Sequence, residues 1–166
     1  MLTGSCLCGR VAYEVDAEPG PIVHCHCITC RKTHGSAFST VSRVPRGRFR
    51  WTRGESLLRG FESSPGKTRY FCSHCGSHIV AERAGTDTIL LRMGCLDSAI
   101  ADRPKMHIWR SDAASWYDAK QQLPEWPEAP PAKGLDLLFE HDLRANAFRV
   151  CREGKPVPTF PDHALT

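Results

Sequence analysis

Seven cysteines fall into three short clusters whose spacing suits a soft metal ion. Cys6-Leu7-Cys8-Gly9 is a CxC, Cys25-His26-Cys27-Ile28-Thr29-Cys30 a CxCxxC, and Cys72-Ser73-His74-Cys75-Gly76 a CxxCG. Residues i and i+2 of an extended chain point to one side, so both thiolates of the first pair can face one ion. The CxxCG form is a zinc knuckle: a tight turn brings two sulfurs together, and glycine relieves the backbone just past the second. Zinc takes four tetrahedral ligands, with sulfur at about 2.3 Å. Clusters of two, three and two therefore fill one closed four-cysteine site and leave three thiols for another. A closed site is structural, whereas three protein ligands leave a position for water or substrate. Spacing does not force the partition. Joining the two pairs leaves the triplet intact; taking two triplet sulfurs with one pair strands the rest.

The chain has nine cysteines, an odd number that would leave one over in a disulfide framework. Cys95 and Cys151 have no cluster partner and read as small buried hydrophobes. His24, His26, His34, His74, His78 and His107 lie in or near the clusters or the later strands. Individually they read as supporting donors or surface groups rather than ligands. His26, inside the triplet, is the best candidate among them for a role at a reactive site.

These residues need short, rigid elements to hold them. Val11-Ala12-Tyr13-Glu14-Val15 alternates as a strand with one buried face does. Segments 37–44, 49–52, 57–61, 69–71, 78–82 and 88–93 are similar, separated by turn signals at Pro45, Gly47, Gly54, Ser64-Pro65-Gly66, Cys75-Gly76 and Gly85. Many short strands at this spacing predict antiparallel β structure. A helical turn is expected over 28–34 and another short turn over 111–116. Pro124, Pro127, Pro130 and Pro131 mark the end of the compact core. The expected organisation is a zinc-binding domain over 1–127 and a Pro-rich linker and C-terminal extension over 128–166. Leu135, Leu138, Phe139, Leu143 and Phe148 suggest one short helix there, before a tail.

Composition narrows the function classes. The 166 residues are 41% hydrophobic and 24% charged, as in an ordinary soluble domain. A net charge of +4 is too diffuse to argue nucleic-acid binding. The densest basic run, Arg43, Arg46, Arg48, Arg50 and Arg53, reads as a solvated hairpin edge that discourages aggregation. No apolar run approaches the roughly 18 residues of a membrane span, and Met1 to Arg10 carries no signal-peptide core. The expectation is a soluble cytoplasmic protein that binds neither nucleic acid nor membrane.

The motifs together resemble the glutathione-dependent formaldehyde-activating enzyme family, which shares its domain with centromere protein V. The resemblance rests on Gly4-Ser5-Cys6-Leu7-Cys8-Gly9, on Cys25 to Lys32, and on Ser63-Ser64-Pro65-Gly66 with Arg69-Tyr70-Phe71-Cys72-Ser73-His74-Cys75-Gly76. Gly94-Cys95-Leu96-Asp97, His107-Ile108-Trp109 and Ser115-Trp116 fit its later part, so that it spans about residues 3 to 127. The resemblance implies a mainly β fold of folded-over antiparallel sheets, a β-tent stapled by zinc. It implies two zinc ions: a structural one on Cys6, Cys8, Cys72 and Cys75, and a reactive one on Cys25, Cys27 and Cys30, the second held more weakly and partly occupied. Cys95 stands where a small hydroxyl residue is expected. The implied activity is that of a carbon–sulfur lyase acting on thiol–aldehyde adducts, like S-(hydroxymethyl)glutathione synthase, with glutathione and formaldehyde as partners. Arg31, Lys32 and Arg69 are candidates to orient the carboxylates of glutathione. The alternative is a non-catalytic zinc module that binds glutathione or a protein.

Overall fold

A computed structural model describes residues 1–120. Cys151, the expected C-terminal helix and the 128–166 extension lie outside the described residues. Met1–Asp118 group as one compact unit. The chain forms β1 (Leu2–Ser5), β2 (Ala12–Val15), β3 (Val23–Cys25), α1 (Ile28–His34), β4 (Ser39–Pro45), β5 (Phe49–Arg53), β6 (Leu58–Ser64), β7 (Lys67–Cys72), β8 (His78–Arg83), β9 (Thr88–Arg92) and β10 (Met106–Ile108). Short 3-10 turns connect several of them, including Arg110–Asp112.

The strands make two sheets. One has three strands in the order β1-β2-β5; the other has seven in the order β10-β3-β4-β9-β8-β7-β6. Neighbours are antiparallel except β10 and β3, which run parallel. Strand alternation gives the large sheet two different faces. Val44, Val80, Ile89 and Leu91 point into the main core, where they meet Val11, Tyr13, Val15 and Phe49 of the small sheet and its approach. The intervening Val41 and Leu90 belong to a separate cluster with Cys25 and Cys30 on the other face. The main core is tight enough that Gly4 admits no side chain: a Cβ there would lie 2.2 Å from the Tyr13 ring.

The four-cysteine cluster ties the sheets together. Cys6 and Cys8 sit between β1 and β2 of the small sheet, and Cys72 and Cys75 at the end of β7 in the large one. All four sulfurs lie within 4.8 Å of one another. The Cys6–Cys8 separation is 3.5 Å and the Cys8–Cys72 separation 3.9 Å. A tetrahedron with metal–sulfur bonds of about 2.3 Å has sulfurs about 3.8 Å apart, so the cluster has the dimensions of a closed zinc site.

Both knuckles are built alike. Gly9 and Gly76 adopt φ of 70° and 73°, which glycine alone takes without strain. The Gly9 amide donates to the Cys6 carbonyl at 2.8 Å and the Gly76 amide to the Cys72 carbonyl at 2.9 Å. The Leu7 amide donates to Ser77 Oγ at 3.0 Å, joining one knuckle to the other. Ser77 Oγ also lies 3.3 Å from the Cys75 sulfur. Against burial, which raises it, hydrogen bonds from Ser77 and from the Cys8 backbone hold Cys75 down to about 6.

Cys95 stays outside this cluster. Its thiol donates to the His78 carbonyl at 3.3 Å, the bond a hydroxyl would make there, and burial pushes it up to about 11. Cys72→Ser is therefore expected to release one metal equivalent and to unfold the domain. A structural zinc contributes on the order of 10 kcal/mol, comparable to the whole stability of a domain. Metal analysis and a melting curve check this, and unchanged stoichiometry and Tm would refute the closed site. Cys95→Ala is expected to keep its metal content and lose only about 1 kcal/mol, measured by denaturant unfolding.

Candidate metal centre and pocket

The triplet is assembled by a strand end and a helix start. Cys25 closes β3, paired with Ser39 on one side and Ile108 on the other. Cys27 is the N-cap of α1, and its sulfur accepts the Cys30 amide at 3.4 Å. Cys30 lies in the first turn. The short helix then stops at Gly35, whose φ is 56° and whose amide bonds back to Arg31. The CxCxxC spacing thus becomes a strand-to-helix corner that turns all three sulfurs inward, within 4.8 Å of one another. Three convergent thiols and no fourth protein ligand among the described residues fit a metal with one exchangeable position.

Two buried guanidinium groups act on these thiols. Arg69, 2% exposed, donates from Nε to Ser63 Oγ at 2.8 Å and lays Nη2 3.7 Å from the Cys30 sulfur. The Cys25 thiol, then Cys27 and Arg69, hold Cys30 down to about 4 against burial. That same hydrogen bond with Cys30 is the first cause pushing Cys25 up. Arg92 is 3% exposed, and none of its three side-chain nitrogens has a hydrogen-bond partner among the described residues. Burial and the Arg69 charge pull it down to about 10, while the fields of Cys30, Cys25 and Cys27 act to raise it.

The three cysteines line a pocket of about 810 Å³, within the range of sites that take a whole small ligand. That is far more room than a one-carbon aldehyde fills, and it suits a peptide-sized molecule. Ile28, Met106 and Trp109, each more than half exposed, add apolar surface to its lining. Trp109 holds φ at 58°, the one positive value for a non-glycine among the described residues. A bulky residue in that region is strained by about 1–2 kcal/mol, a cost that tends to be kept at functional sites.

The structure separates the sequence candidates. Arg69 lines the pocket. Arg31 instead donates to the main-chain oxygen of Asp112, and Lys32 is not among the lining residues. His26 does not share the pocket with its cysteine neighbours. Side chains alternate along this extended segment, so Cys25 and Cys27 face one way and His26 the other. There it is fully buried, 2.8 Å from His107 Nδ1 and packed on Phe38 and Tyr117. His34 and His78 form a ring pair 5.2 Å apart; both are held below the usual histidine range, first by burial. The basic run is mostly ion-paired on the surface: Arg46 with Glu82, Arg48 with Asp16, Arg50 with Glu14. Arg43 departs from that run and lines the pocket together with Lys67 and Arg83. Sequence reasoning read Arg43 as part of a solvated hairpin edge and passed over Lys67 and Arg83. Their signal was alternation, since Lys67 and Arg69 must share a face of β7.

No helix among the described residues is long and apolar enough to cross a membrane. No curated protein matches the chain. Among solved structures it is similar in fold to a Rhodobacter sphaeroides protein, with a TM-score of 0.51 and 21% identity over 60% of this chain and 91% of that one. The family model described as glutathione-dependent formaldehyde-activating enzyme matches residues 1–112. That span holds both cysteine clusters and every strand described above, and the chain belongs to the glutathione-dependent formaldehyde-activating enzyme family.

Proposed function

We propose that the protein is a zinc-dependent carbon–sulfur lyase that makes and breaks thiol–aldehyde adducts, with S-(hydroxymethyl)glutathione as the adduct. The observation that carries this reading is the three-thiol cluster of Cys25, Cys27 and Cys30 opening into a pocket sized for a peptide. The synthetic direction adds a thiol to formaldehyde. A carbon–sulfur bond forms, the carbonyl π bond becomes a hydroxyl, and the proton lost by sulfur is matched by one gained by oxygen. No oxidant or reductant is needed.

Ionising the thiol is the demanding part, because a free thiol has a pKa of about 8.5 and is mostly protonated at neutral pH. A zinc ion on the three cysteines would supply a fourth position that keeps a bound thiol ionised. The chain's own residues favour the same state. Arg69 and Arg92 place two positive charges beside the site in a buried, weakly screened setting. Ile28, Met106 and Trp109 supply apolar contacts that reduce the water around the sulfur.

Glutathione titrated into cobalt-substituted protein is expected to strengthen the sulfur-to-metal charge-transfer band. Cys27→Ser is expected to abolish that change and the acceleration of adduct formation over the uncatalysed rate, while lowering Tm far less than Cys72→Ser. An unchanged spectrum at saturating glutathione, with both metals present, overturns thiol coordination. A band that responds without any rate acceleration leaves the binding module instead.

A further inference from the structure

One wall of the pocket carries a charge pattern that the fold alone does not explain. Lys67 of β7 and Arg83 of β8 are direct cross-strand partners. Like charges placed opposite each other destabilise a sheet. Arg43 of β4 approaches the same wall by a parallel route: it pairs with Leu90, Leu90 pairs with Ala81, and Ala81 lies two residues from Arg83 on the same face. None of the three cations is ion-paired among the described residues. Lys67 is half-buried, and its ammonium is held below the usual lysine range by burial first and then by Arg69, Arg92 and Arg83.

These cations sit where two depressions meet. Arg43, Lys67, Arg83 and Leu90 line the main pocket and also a side basin of about 90 Å³. The basin is further lined by Thr86, whose hydroxyl donates to the Arg83 carbonyl at 2.8 Å, and by Thr88, whose hydroxyl can donate to a ligand. Its volume holds several waters, which is room for a carboxylate. Two carboxylates are nearby, and neither neutralises the wall. Glu82 of the basin is held by Arg46 at 3.3 Å, and Asp112 lines the main pocket without an ion pair to these cations.

The geometry points to a carboxylate subsite formed by Arg43, Lys67 and Arg83, which takes the carboxylate end of a thiol whose sulfur is held at Cys25, Cys27 and Cys30. The spacing agrees. Arg69 touches Cys30, and Lys67 lies two residues further along the same strand, about 7 Å. A carboxylate one or two peptide units from a cysteine sulfur spans that distance, since consecutive Cα atoms are about 3.8 Å apart. The preferred substrate is therefore an acidic peptide thiol, and simple aminothiols and neutral thiols are poor ones. This rests on the function proposed above for the position of the sulfur, although the anion-binding wall does not itself require a metal.

The test compares glutathione with its diethyl ester, read on the cobalt band at fixed ionic strength. The native protein is expected to bind glutathione about tenfold or more tightly than the ester, the ratio for one well-placed charge-assisted contact. Arg83→Glu is expected to bring the ratio below about twofold. Because it replaces a like-charge pair with an attractive one opposite Lys67, its Tm is expected to hold or rise, so lost preference cannot be ascribed to unfolding. Calorimetry with S-methylglutathione, which has no free thiol, separates the two readings. If the band never responds but S-methylglutathione binds native protein and not Arg83→Glu, thiol coordination fails and the carboxylate subsite stands. Equal affinities for acid and ester with a responsive band, a preference that survives Arg83→Glu, or no binding of S-methylglutathione overturns the subsite.

Discussion

The tetrahedral demand of four sulfurs organises the molecule. Cys6 and Cys8 belong to a three-stranded sheet too small to stand alone, and Cys72 and Cys75 to the edge region of the seven-stranded one. Bringing these pairs together stacks the two sheets and closes the core of Tyr13, Phe49, Val80 and Leu91 between them. Hydrophobic burial then adds to a geometry already imposed by the knuckles. This order of causes explains why the knuckle glycines and the Leu7–Ser77 bond are built so closely around the cluster. A shift of either turn would misplace a sulfur and a sheet together.

Once one face of the large sheet is committed to that core, period-2 alternation leaves the other face for chemistry. Arg43, Lys67, Arg69, Arg83 and Arg92 share this second face, while Val44, Val80, Ile89 and Leu91 of β4, β8 and β9 point into the core. The strand-to-helix corner of Cys25, Cys27 and Cys30 lies over this second face. The site is thus the reverse side of the scaffold. Its rigidity follows from a sheet whose central strands are paired on both edges, and its polarity from the guanidinium and ammonium groups that alternation places on that face.

How far the sequence discloses this depends on the range of each interaction. The three thiol clusters were legible because knuckle geometry is local, whereas the union of Cys6 and Cys8 with Cys72 and Cys75 is a long-range contact that spacing left open and only the family resemblance implied. The 28–34 helical turn was legible for the same reason. Strands β3 and β10 were not, because three residues are too short to show alternation and their pairing is parallel and distant in sequence. His26 misleads for a related reason: its neighbours in sequence are the ligands, yet alternation turns it toward His107. Alternation could give the shared face of Lys67 and Arg69, but the opposition of Lys67 and Arg83 is a matter of register, which depends on the 73–77 turn between β7 and β8 and on the bulge between Tyr70 and Phe71.

The two cysteine sites also differ in how their negative charge is held. Backbone amides recur among the causes that oppose burial at Cys8, Cys72 and Cys75, although burial still leaves Cys8 and Cys72 raised, and the Val11 amide donates to the Cys6 sulfur at 3.3 Å. Peptide dipoles are neutral and act over short distances, so they stabilise thiolates without drawing in a ligand. At the triplet the lowering causes include the full charge of Arg69, and the thiol fields reach as far as Arg92. Three thiolates with one divalent ion carry a single negative charge, which Arg69 alone offsets. Arg92, Arg43, Lys67 and Arg83 then remain as excess positive charge around the pocket. Of these, Arg92 is buried and Lys67 half-buried, while Arg43 and Arg83 are exposed, so the charge is weakly screened only on the inner side of the pocket. The closed cluster is thus bordered by peptide dipoles, and the triplet by full positive charges.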